Sequence, residues 1–156
     1  MAGIKGKQIA DDTITGADVD ESTLVLDLPS FLVYGKNGAL TDQTSYYQLT
    51  TTNGSQNGQG WRVPVGGTVT HLSIQFDCTS YGGSPVTMQT QLYKNGSGTN
   101  KMLDAVVSGT GSFGADAPIT SESFNAGDRL TLYVQHSGTG ITTSDIAATI
   151  RILTVA

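Results

Sequence analysis

Two histidines, His71 and His136, and one cysteine, Cys78, are the residues whose types suit nucleophilic or metal chemistry. His71 and Cys78 stand seven residues apart in VTHLSIQFDC, a run whose alternation predicts a strand. An odd separation on a strand sends two side chains to opposite faces, so they form no dyad. Cys78 then reads as a small buried hydrophobe. His136 follows Leu130, Leu132 and Val134 in phase, and is expected either to be buried on a hydrogen-bond partner or to line a subunit contact. An ordinary zinc site takes three or four ligands, chiefly N and S donors, and here carboxylates would have to complete it. Asp77, Asp104, Asp116, Glu122, Asp128 and Asp145 are scattered, without the paired arrangement that glycoside hydrolysis requires. Aspartates beside glycines more often shape turns. DVDES at 18–22 has oxygen ligands at alternate positions, but Thr23 stands where a calcium loop needs Gly and Pro29 where it needs Glu. The chain has no G-x-S-x-G, P-loop or H-E-x-x-H. The expectation is no enzyme, no metal and no cofactor.

Exposed aromatic rings offer a second kind of chemistry, stacking on sugars. Trp61 lies in GQGWRVP beside Arg62, and Tyr46, Tyr47 and Tyr81 fall at or near expected loops. Trp61 and Tyr81, with the loops at 53–61 and 80–84, are the candidates for a host surface glycan. The competing role is packing at a core edge or a subunit seam, where rings with one polar end are favoured.

These residues need a scaffold, and composition limits what it can be. The 156 residues suit one domain plus an appendage. Only 13% are charged and the net charge is −5, while 20 glycines accompany 37% hydrophobic residues. Such a chain reads as an all-β protein rich in turns. Without a Lys/Arg cluster it is not expected to bind nucleic acid. No window approaches the roughly 18 apolar residues of a membrane helix, so no membrane partner is expected either. One cysteine excludes an internal disulfide framework. The sequons at Asn53 and Asn95 read as turns.

From Phe31 onward, short β-type runs alternate with turn signals. Asn-Gly pairs at Asn37, Asn53, Asn57 and Asn95 suit the positive φ angles of tight hairpins. Leu72, Ile74, Phe76 and Cys78 share one face of an expected strand, as do Val86, Met88 and Leu92 of another. Leu130, Leu132 and Val134 point inward in a third, and Ile146, Ala148, Ile150 and Ile152 in a fourth. Further strands are expected at 31–34, 45–52, 101–107 and 118–123. About eight antiparallel strands in two sheets predict a jelly-roll β-sandwich over residues 29–156.

Residues 1–28 do not fit that scaffold. Ile4, Ile9, Ile14 and Val19 recur every five residues, within I-x-G-x-x-[IV] repeated at an offset of ten. Five steps turn a helix by about 140° and flip a strand to its other face, so no common stripe forms. Together with Leu24, these side chains need a separate surface. Burial there would contribute on the order of 1.5 to 3 kcal/mol each. The expectation is an extended N-terminal anchoring arm.

KGKQIADDTITGADVD resembles segments that recur in virion proteins of tailed bacteriophages, notably tail-fibre and head-decoration polypeptides. VPVGGTVTHLSIQFD, VTMQTQLYKNG and SFNAGDRLTLYV are similar in style to the small jelly-roll modules of phage structural proteins, with Tyr93 to Gly96 and Asn125 to Val134 matching best. The resemblance implies homotrimerisation, attachment by the arm to the major capsid protein or another virion protein, and a place on the capsid surface after synthesis in the host cytoplasm. The chain is short and starts at Met, whereas a tail fibre would normally add a long shaft, so a capsid decoration (cement) protein is the expected role. A head-fibre or tail-fibre module that recognises host glycans is the alternative.

Overall fold

The computed structural model describes residues 29–49 and 60–154, and every regular element in them is a strand. In chain order these are β1 (Pro29–Lys36), β2 (Leu40–Thr41), β3 (Tyr47–Gln48), β4 (Trp61–Arg62) and β5 (Gly67–Tyr81), then β6 (Val86–Lys94), β7 (Ser97–Val107), β8 (Gly111–Phe124), β9 (Arg129–His136) and β10 (Ile141–Thr154). They form two antiparallel sheets. The first runs β1-β10-β5-β8 with β2 on β10, and the second β3-β9-β6-β7 with β4 on β9. The sheets pack face to face as a β-sandwich. The anchoring arm expected at 1–28, with Ile4, Ile9, Ile14, Val19 and Leu24, lies outside the described residues, as do the turns expected at Asn53 and Asn57.

Alternation builds the core. Leu72, Ile74, Phe76 and Cys78 of β5 are buried, and so are Ile146, Ala148, Ile150 and Ile152 of β10. From the other sheet, Val86, Met88 and Leu92 of β6 and Leu130, Leu132 and Val134 of β9 meet them in one apolar cluster. The period breaks in two places. Val69 is buried three residues before Leu72, because the pairing of β5 skips Thr70 against both neighbours. Asp145, at φ 50, marks a second irregularity, between Ser144 and Ala147 of β10. Such bulges let a strand keep its apolar side inward while it bends.

The turn chemistry holds at Asn95-Gly96, where φ angles of 54 and 84 close the two-residue hairpin between β6 and β7, as a type I′ turn requires. At Asn37-Gly38 only the glycine has positive φ. The strand expected at 118–123 is the end of a longer β8. Gly111 and Gly114 conceal its beginning, because glycine is depleted in strands; hydrogen bonding to β5 along its length compensates. The strand expected at 45–52 comes down to Tyr47–Gln48 among the described residues.

Candidate functional site

The chemistry-bearing residues stand apart. Cys78 is buried and free, its thiol donating to the Ser80 carbonyl at 3.1 Å and pushed up in pKa by burial. His71 is half-buried on the opposite side of β5. Among the described residues no group of three or more His, Cys, Asp and Glu could hold a metal ion. No helix among them is long and apolar enough to cross a membrane.

His136 is a buried structural group that links the two sheets. Its Nδ1 accepts from the Gln43 amide at 3.0 Å, so its neutral Nε2–H donates to Thr143 Oγ1 on β10, also at 3.0 Å. Desolvation holds its pKa below the ordinary histidine value, against an opposing effect from the Asp42 carboxylate. The folded form therefore binds fewer protons than the unfolded chain, and this contribution is complete above about pH 6.5 and lost as pH falls through the lowered pKa. Urea unfolding is expected to show a lower midpoint at pH 5 than at pH 7.5. In His136→Gln that pH difference should shrink.

Trp61 is 44% exposed, opposite Leu130 at the start of β9. Tyr81 is partly buried against the core, opposite Ile141 at the far end of β5. The fifteen residues of β5, at roughly 3.3 Å each, lie between these two ends. The structure does not bring the two rings together.

What it does bring together is the outward side of the sheet β1-β10-β5-β8. Register places Phe31, Arg151, His71 and Pro118 abreast, and beside them Val33, Thr149, Ser73 and Asp116. Ser73, Gln75, Gly114, Ala147 and Thr149 line a shallow basin of about 560 Å³. A second hollow of about 220 Å³, between Phe31, His71, Asp116 and Arg151, shares Ser73, Asp116 and Thr149 with the first. Phe31 and Val33 are each 59% exposed, on an edge strand that pairs only with β10 among the described residues.

Arg151 Nε is buried without a hydrogen-bond partner. Lys94 and Glu122, at 2.8 Å, form the salt bridge seen among the described residues, and neither Arg151 nor Asp116 takes part in it. Arg151 on β10 and Asp116 on β8 line the second hollow with β5 between them, and no ion pair joins them. Sequence reasoning missed this face, although one signal was present. The run Phe31-Leu32-Val33-Tyr34 is apolar at four consecutive positions, the pattern of a strand covered on both sides.

No family model matches the chain, and no curated protein matches it. Among solved structures, dimeric latent PorU from Porphyromonas gingivalis is similar over 81% of this chain and 13% of its own length, at 11% identity and a TM-score of 0.37. The chain thus spans about an eighth of that protein, and a likeness at this level carries no functional argument.

Proposed function

We propose that the chain is a non-enzymatic structural protein of a tailed-phage virion: a homotrimeric capsid decoration protein that docks by residues 1–28 on the major capsid protein or another virion protein. The observation that carries the assembly is the uncovered apolar edge made by Phe31 and Val33 beside the shallow basin on the same side of the sheet. The edge of one copy fits the basin of the next. In the proposed trimer the contact is heterologous, one patch against a different patch, and a three-fold rotation between copies closes it into a ring. Arg151 and Asp116 line the hollow beside Phe31 and form no ion pair with each other, and in the proposed assembly each faces an opposite charge on a neighbouring copy.

The strand order supports a jelly roll. With β3 and β4 taken as two pieces of one strand, and β2 as a continuation of β1, eight positions run 1-10-5-8 and 3-9-6-7, the interleaving of two Greek keys. The repeat of I-x-G-x-x-[IV] in the arm, and its resemblance to phage virion segments, support docking. Three arms on one ring bind with a high effective concentration, so individually weak contacts hold together.

Deleting residues 1–24 is expected to abolish binding to decoration-free particles from the source phage while leaving the oligomer unchanged in sedimentation. Binding retained by the truncated protein would overturn the docking role. The exposed ring of Trp61 favours a second reading, a fibre module that engages host glycans; cell-surface binding lost in Trp61→Ala would support that reading over decoration.

A further inference from the structure

The outward side of the other sheet carries a different set of groups, and we propose that it is a binding platform for a neutral oligosaccharide. Tyr93 and Tyr133 stack with ring centroids 3.9 Å apart, and Tyr46 meets Tyr93 edge-on at 6.2 Å. Tyr133 donates its hydroxyl to Gln48 Oε1 at 3.0 Å. All three rings are half-buried and held by one another, so little side-chain entropy remains to be lost when a ligand settles on them.

Beside the rings lies a row of amides. Gln135 Nε2 donates to Gln89 Oε1 at 2.6 Å, and Gln91 Nε2 donates to the Thr99 carbonyl. Each bond orients an amide and leaves its other half to the surface: a donor at Gln89 Nε2, and acceptors at Gln135 Oε1 and Gln91 Oε1. Register sets Gln48, Tyr133, Gln91 and Met102 abreast, and Gln135, Gln89 and Asp104 abreast beside them. Those two rows hold one charge, the Asp104 carboxylate. Met102 and Val106 are exposed along the β7 margin.

This combination selects its occupant. An apolar protein surface would strand the oriented amides without partners, at about 1–3 kcal/mol for each buried group. A phosphate or acidic sugar would meet Asp104 with no cation in those rows to offset it. A neutral pyranose presents C–H groups to a tyrosine face and hydroxyls to fixed donors and acceptors, and so satisfies both halves of the platform. The inference is independent of the assembly face and of the arm.

The test titrates the full chain with cellohexaose, maltohexaose and mannohexaose, with sialyllactose as the acidic counter-probe, and follows glutamine side-chain amide resonances by NMR. At least one neutral hexasaccharide is expected to shift the Gln89, Gln91 and Gln135 signals, and sialyllactose is not. Tyr46→Ala, with its fold verified by circular dichroism, should weaken binding at least about tenfold, equivalent to roughly 1.4 kcal/mol, and Tyr46→Phe should retain it. Trp61→Ala should leave it unchanged. The proposal is overturned by the absence of any shift at millimolar hexasaccharide, by binding that survives both Tyr46→Ala and Gln89→Ala, or by binding lost in Trp61→Ala.

Discussion

Replacing Phe31 and Val33 together by aspartate is expected to leave the sandwich folded and to make the protein monomeric. Both side chains point away from the core and are 59% exposed, so the fold loses little by their removal. In the proposed ring each is buried by a neighbouring copy. Burial of a Phe or Val side chain contributes roughly 1.5 to 3 kcal/mol, so the pair supplies on the order of 3 to 6 kcal/mol per contact, or about two to four decades in dissociation constant. Aspartate adds the cost of burying an unpaired charge. Sedimentation velocity reads the outcome directly. A wild-type chain that sediments as a monomer at high micromolar concentration removes the proposed ring. A charge test separates the contact from general stickiness: Arg151→Asp alone should weaken the oligomer, and Asp116→Arg introduced with it should restore part of the loss.

The second large effect concerns stability. Gly67 opens β5, where a Cβ would lie 2.1 Å from the Leu153 carbonyl oxygen, 3.0 Å from Thr154 Cα and 2.9 Å from the Phe124 ring. Two of these three atoms belong to backbone, so no side-chain rotation relieves the clash; the end of β10 must separate from β5. Overpacking typically costs about 1 to 3 kcal/mol and more where backbone must move, against a total of roughly 5 to 15 kcal/mol for a domain. Gly67→Val is therefore expected to lower the urea midpoint sharply, by the equivalent of about 3 kcal/mol or more. Gly109→Ala is the matched control. A Cβ there meets nothing within 4 Å, and the change should stay within about 0.5 kcal/mol. Equal effects at the two positions would show that the close approach of β10 to Gly67 is not what requires glycine.

Local pattern carried a good part of this protein. Alternation at Leu72 to Cys78 and at Ile146 to Ile152 identified two central strands and the face each turns inward, because a half-buried strand must repeat every second residue. The hairpin at Asn95-Gly96 was equally legible, since few residue pairs accept positive φ twice. The separation of His71 from Cys78 followed from counting alone.

Other features came only with the tertiary structure. Phe31, Arg151, His71 and Pro118 lie on four strands distant in sequence, and they stand abreast through the antiparallel pairing of β1, β10, β5 and β8. Periodicity states which side of a strand a residue faces, but not which residue of another strand stands next to it. That pairing is set by long-range hydrogen bonds and by the fit of the two inner faces. The same reason gathers Tyr46, Tyr93 and Tyr133 into one cluster and crowds Gly67 against β10. Composition and spacing determined the strands and their inward faces; the tertiary structure decided the outward surfaces, because a surface is a property of neighbouring strands that no single segment encodes.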